Sequence, residues 1–103
     1  MTEPLTIFWE TGQSIGDALL FHASDGRPIL VKVSQASLMA AGEALPDDTL
    51  HRVGGFIAWL EIGIRNRYRV DEIDGSLHES PDGHLLFVQA EDLIIEPAAY
   101  SKH

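Results

Sequence analysis

The chain has 103 residues, enough for one domain that buries roughly two-thirds of its unfolded surface. With 45% apolar and 22% charged residues it reads as globular, and the lack of cysteine excludes disulfide scaffolds, thiolate zinc sites and cysteine nucleophiles. A formal net charge of −9 argues against binding to nucleic acid or to an anionic membrane surface.

No apolar run is long enough to span a bilayer, and the Met-Thr-Glu-Pro start lacks the basic end of a signal peptide. The expectation is one cytoplasmic domain over 1–103, ordered over about 5–96, with a loose tail at 97–103. Charge is unevenly spread. Residues 51–70 carry Arg52, Arg65, Arg67 and Arg69 against Glu61, whereas residues 71–96 carry eight acids and no Lys or Arg. Pairing of these arginines with the acidic segment is the simplest reading of that contrast. A bipolar surface that orients a partner is the other.

Residues 5–9 are rich in β-branched and aromatic side chains and predict a strand that ends at Thr11-Gly12, followed by a polar connector over 13–17. Two further strands, 18–23 and 28–33, flank Ser24-Asp25-Gly26-Arg27, an Asp-Gly hairpin signal. Ser34 reads as a helix N-cap before 35–45, and Pro46 ends that helix. A long second helix is expected over 49–69. Leu50, Val53, Ile57, Leu60, Ile64 and Tyr68 form its core stripe, and Gly54, Gly55 and Gly63 suggest a close approach of backbone or simple looseness. After turns at Asp74-Gly75 and Pro81-Asp82-Gly83, residues 84–90 form the last strand, with Ser76 to Glu79 a candidate hairpin partner. The fold class is therefore α+β: a mostly antiparallel sheet in β-β-β-α-α-β order, packed against two helices, one of them long. The expected core is Phe8, Leu20, Val31, Val33, Leu38, Val53, Ile57, Leu60, Ile64, Leu86 and Val88.

Several of these pieces together form a pattern: Leu5-Thr6-Ile7-Phe8, Asp17-Ala18, Phe21, Asp25-Gly26, Val31 with Val33, Leu38, a helix ending at Tyr68, and Asp82-Gly83 through Leu86 to Glu91-Asp92-Leu93. In this order, over about residues 5–93, the chain resembles the bacterial family called domain of unknown function 1488. That resemblance implies a fold and a bacterial cytoplasmic setting. It implies no chemistry.

Residue chemistry offers a few candidate sites. His78, Glu79, Asp82 and His84 gather near one turn, and imidazoles with carboxylates can ligate zinc or nickel, so His78 and His84 are the metal candidates, although no spaced ligand motif supports them. His51 has the right ordinary pKa for a general base but no nucleophile beside it. Ser14 and Ser37 lack a nucleophile elbow, and neither a phosphate loop nor a dinucleotide fingerprint occurs. No cofactor is expected. On a continuous helix from residue 49, Gly55, Trp59, Ile62 and Asn66 fall on the outer face, rimmed by Arg52, Arg65 and Arg69. Two readings of this stripe stand: cover by the first helix or the C-terminal tail, or a partner surface for a homodimer or for another protein, on which the functional expectation rests. The leading functional expectation is thus a non-enzymatic interaction or regulatory domain. The alternatives are a small hydrolase-like or metal-dependent enzyme using His51 or the His78/His84 turn, and an acidic nucleic-acid mimic that inhibits a basic partner.

Overall fold

The computed structural model describes residues 4–78 and 83–95. The expected loose tail at 97–103 lies outside those residues. Strands β1 (Thr6–Ile15), β2 (Ala18–Ser24) and β3 (Pro28–Ser34) form an antiparallel meander, and β4 (His84–Val88) joins beside β3 in parallel, giving the order β1-β2-β3-β4. Between β3 and β4 run α1 (Gln35–Ala44), α2 (Thr49–Val53), α3 (Phe56–Asp74) and a single 3-10 turn (Ser76–His78). The short α4 (Ala90–Leu93) follows β4. The α+β architecture agrees with the sequence, with two of three strand pairings antiparallel. Among the described residues no helix is long and apolar enough to cross a membrane.

β1 is longer than its sequence signal. Phe8 pairs with His22 and Gln13 pairs with Leu20, so residues 9–12 bulge opposite Phe21 alone. The Thr11 hydroxyl fills the break in the ladder, donating to the Phe8 carbonyl at 2.6 Å and accepting the His22 N–H at 2.8 Å. Gly12 is required there, because a Cβ would lie 2.6 Å from the Phe21 ring. What reads as the end of a strand and a polar connector is therefore one bulged strand, closed by a two-residue turn at Gly16-Asp17 with Gly16 at φ +61°.

The Asp25-Gly26 hairpin and the Ser34 cap form as expected, with the Ser34 hydroxyl accepting the Ser37 N–H at 3.1 Å. The expected long helix does not start at residue 49. Gly54 and Gly55 adopt φ of +106° and +115°, a left-handed step that ends α2 and lets α3 begin at Phe56 on a new axis. Leu50 and Val53 therefore no longer set the phase of the helix that carries Leu60. Ile57, expected in the core, is 49% exposed, whereas Trp59 is 4% exposed. At about 100° per residue the buried arc of α3 centres roughly 50° from the expected stripe. The 3-10 turn at Ser76–His78 replaces the expected hairpin strand there, and Glu79 lies outside the described residues.

One face of the sheet packs on the helices. Ile29, Val31, Val33, Leu86 and Val88 from the strands meet Trp59, Leu60 and Ile64 from α3, Ala41 from α1 and Leu93 from α4. Phe8 and Leu20, expected in this core, belong to the opposite face of the sheet, because they occupy the alternate positions of their strands. Leu38 and Val53 are partly buried against the core rather than within it. Gly63 allows the closest contact: a Cβ there would lie 2.3 Å from the Leu93 side chain.

Candidate interaction surface

The helices cover only one side of the sheet. Strand register fixes what the other side shows: Phe8, His22, Leu30 and Leu85 stand in one row across all four strands, and Gln13, Leu20, Lys32 and Phe87 form the next. Phe8, Leu30, Leu85 and Phe87 are between 37% and 52% exposed, and Ile15 extends the patch beside Ala18. The uncovered face of a sheet usually alternates to polar residues, so aromatic and leucine side chains in adjoining rows are the feature needing an explanation. Lys32 places its ammonium 5.5 Å from the Phe87 ring centroid, a cation–π contact within the patch. In a chain with 16 acids, neither of these rows holds a carboxylate.

The stripe expected to bind a partner is instead covered by the chain itself. The Trp59 indole N–H donates to the Leu93 carbonyl at 2.9 Å, and the Asn66 amide donates to the Asp92 carbonyl at 3.0 Å. Ile62 packs against the core, and Gly55 forms the helix start. The segment through α4 lies across the face of α3 that a straight helix from residue 49 turns outward. Of the expected rim, Arg52 pairs with Asp48 at 2.8 Å and Arg65 with Glu61 at 2.9 Å, both one helical turn away, while Arg69 is exposed. Of the stripe assigned to a partner, Trp59, Ile62 and Asn66 thus make internal contacts, while Gly55 faces open space.

Two buried ionic groups hold α3 in place; the first has no counterpart in the sequence reading, and the second is one case of the arginine pairing that the charge contrast suggests. In the first, Asp25 at the hairpin turn is 2% exposed. It accepts a two-pronged bond from Arg27 (2.8 and 3.2 Å) and a 2.6 Å bond from the Tyr68 hydroxyl, while Arg27 also donates to the Leu77 carbonyl. The Arg27 guanidinium, opposed by burial and helped by Tyr68, lowers the Asp25 carboxyl to about 2. Burial, with the Asp25 carboxylate beside it, raises the Tyr68 phenol to about 12. In the second, Arg67 donates to both Asp92 oxygens (2.8 and 3.2 Å) and lies 3.7 Å from Asp71. The bond to Asp92 raises the Arg67 pKa further. Asp92 also accepts the Gln89 N–H at 2.8 Å, closing a capping box on α4. Arg67 therefore does pair with the acidic segment, as the charge contrast suggests, and the other arginines of 51–70 have different roles. An Asp-Gly dipeptide is legible as a turn, but its tie to a tyrosine 43 positions away is not.

Among the described residues, the remaining candidates do not come together. His51 is exposed near the end of α2. His84 Nε2 lies 2.8 Å from Asp71 Oδ2 and joins the start of β4 to α3. The His78 side chain, Glu79 and Asp82 lie outside what the structure describes, and no group of three or more His, Asp or Glu ligands converges among the described residues. No family model, curated protein or solved structure matches this chain.

Proposed function

We propose that the chain is a non-enzymatic interaction domain that associates with a second copy of itself through the open face of its sheet. The observation that carries this reading is the adjoining rows of Phe8, Leu30, Leu85 and Phe87 on a face with no helix over it. Two such faces can stack about 10 Å apart, as sheets do in sandwiches. The absence of carboxylates from these rows removes the local repulsion that two copies at −9 each would otherwise meet. Four strands about 4.8 Å apart and some five residues long present on the order of 300 Å² in projection. That places the contact at the small, reversible end of protein interfaces.

Sedimentation across a range from about 1 µM to 1 mM tests the reading. The expected result is a concentration-dependent dimer that strengthens with added salt, because salt screens the repulsion between two acidic copies. A double substitution, Leu85→Gln with Phe87→Gln, should weaken it at least about tenfold and move the melting temperature little, since both residues are half-exposed. A chain that stays monomeric throughout, or a dimer indifferent to this double substitution, would overturn it.

A further inference from the structure

The helical layer contains a hollow that the sheet-face reading does not use. α1 ends where Leu45 turns extended and Pro46 forbids continuation, α2 is cut short by Gly54-Gly55, and α3 leaves in a new direction. Three helix ends that cannot merge leave a cavity of about 320 Å³ between them. Its walls are apolar, built from Leu38, Met39, Leu45, Leu50, Phe56 and Trp59. The last two rings form an edge-to-face pair with centroids 5.9 Å apart.

Three polar features qualify that wall. Asp47 lines the cavity and makes no ion pair among the described residues, in contrast to Asp48, which is held by Arg52. No Lys, Arg or His contributes to the lining. Thr49, 1% exposed, lies in the same wall with its hydroxyl hydrogen-bonded to nothing in the protein, an arrangement that buried polar groups rarely tolerate. An apolar cavity of this size, with an aromatic pair and one free carboxylate, selects by charge. It attracts a cation and offers an anion no positively charged side chain. At about 30 Å³ per water-sized group, it takes on the order of ten non-hydrogen atoms.

We infer that the hollow between α1, α2 and α3 is a binding site for a small organic cation: an amine with an apolar body of about ten non-hydrogen atoms, its body against Trp59 and Phe56 and its ammonium toward Asp47. The site is independent of the sheet face, and loss of either leaves the other standing.

The test uses three probes of matched length, octylamine, 1-octanol and octanoate, titrated into the isotope-labelled chain and followed by residue-resolved amide NMR. Shifts should concentrate in residues 38–59, and octylamine should bind about fivefold tighter than octanol, the scale of one exposed ion pair. Octanoate should bind weakest. Asp47→Asn should bring octylamine to within about twofold of octanol. Gly42→Leu supplies the volume control: Gly42 lines the cavity, a Cβ there meets nothing within 4 Å, and the exchange favours helix, so folding is preserved while the hollow is filled. It should weaken all three probes at least about tenfold. Octanoate binding as tightly as octylamine, shifts centred on Leu85 and Phe87 instead, or no binding at millimolar probe would each overturn the inference, as would a Gly42→Leu variant that binds unchanged.

Discussion

Replacing Asp25 by asparagine tests whether the buried carboxylate anchors the hairpin to α3. Its charge is held by Arg27 and by the Tyr68 hydroxyl, and its carboxyl lies at about 2 instead of the usual 3.8. At about 1.4 kcal/mol per pH unit, this difference amounts to about 2 kcal/mol of folded-state stabilisation at neutral pH. The asparagine amide can still accept one of the bonds, but it leaves a largely buried guanidinium without its counter-charge, so the loss should not fall below that figure. In urea, with a slope near 2 kcal/mol/M, the midpoint at pH 6 to 7 should drop by about 1 M. Because the folded carboxyl titrates below the unfolded one, the stabilisation is complete above about pH 4 and disappears as pH falls through about 2. The wild-type and Asp25→Asn midpoints should therefore converge across that interval. A gap that stays constant from pH 6 down to pH 2, or one under about 0.3 M at neutral pH, would refute the assignment of Asp25 as a charged anchor.

Equilibrium unfolding should also separate two residues of α3 that the sequence alone places on one stripe. Leu60→Ala should cost about 2–5 kcal/mol, because the side chain is fully buried, whereas Ile57→Ala should stay within about 0.5 kcal/mol; the reverse order would mean the helix is rotated. Thr49→Val removes a buried hydroxyl with no partner while keeping its shape, so thermal melts should show unchanged or higher stability. A clear loss would mean that the hydroxyl is satisfied by an ordered water.

The strands β2, β3 and β4 were legible because Phe21, Val31 and Leu86 sit in period-two runs that a half-buried sheet requires, and the Asp25-Gly26 turn and Ser34 cap are local chemistry. The pairing of β4 with β3 was not legible, since Ile29 and His84 lie 55 positions apart and nothing local distinguishes a parallel from an antiparallel partner. The decisive error concerned Gly54-Gly55. Glycine is compatible with both a loose helix and a left-handed break, and the apolar spacing from Leu50 to Tyr68 fits one uninterrupted stripe. Reading through the break turned Trp59 outward, and the partner surface went with it. Its true cover, Leu93, comes from a four-residue helix too short to show periodicity. The apolar sheet face was within reach: Phe87 and Leu85 alternate with the core residues Leu86 and Val88, which signals a strand apolar on both sides.

The bulge in β1 sets an arithmetic rule for the chain's length. From Phe8 to Gln13 is five steps, an odd number, whereas their partners His22 and Leu20 are two steps apart, an even one. In an unbroken strand, residues five apart point to opposite faces, so Phe8 and Gln13 share a face only because residues 9–12 absorb an odd excess. Excising three of those four residues would leave a single one opposite Phe21 and preserve the sidedness of everything upstream. Removing one leaves four steps, an even number that plain alternation also places on one face, whereas removing two leaves three, so either a bulge must still absorb an odd excess or Leu5 and Ile7 must leave the core while Thr6 and Phe8 enter it. Insertions and deletions in this segment are therefore tolerated in odd and even classes, not in proportion to their length.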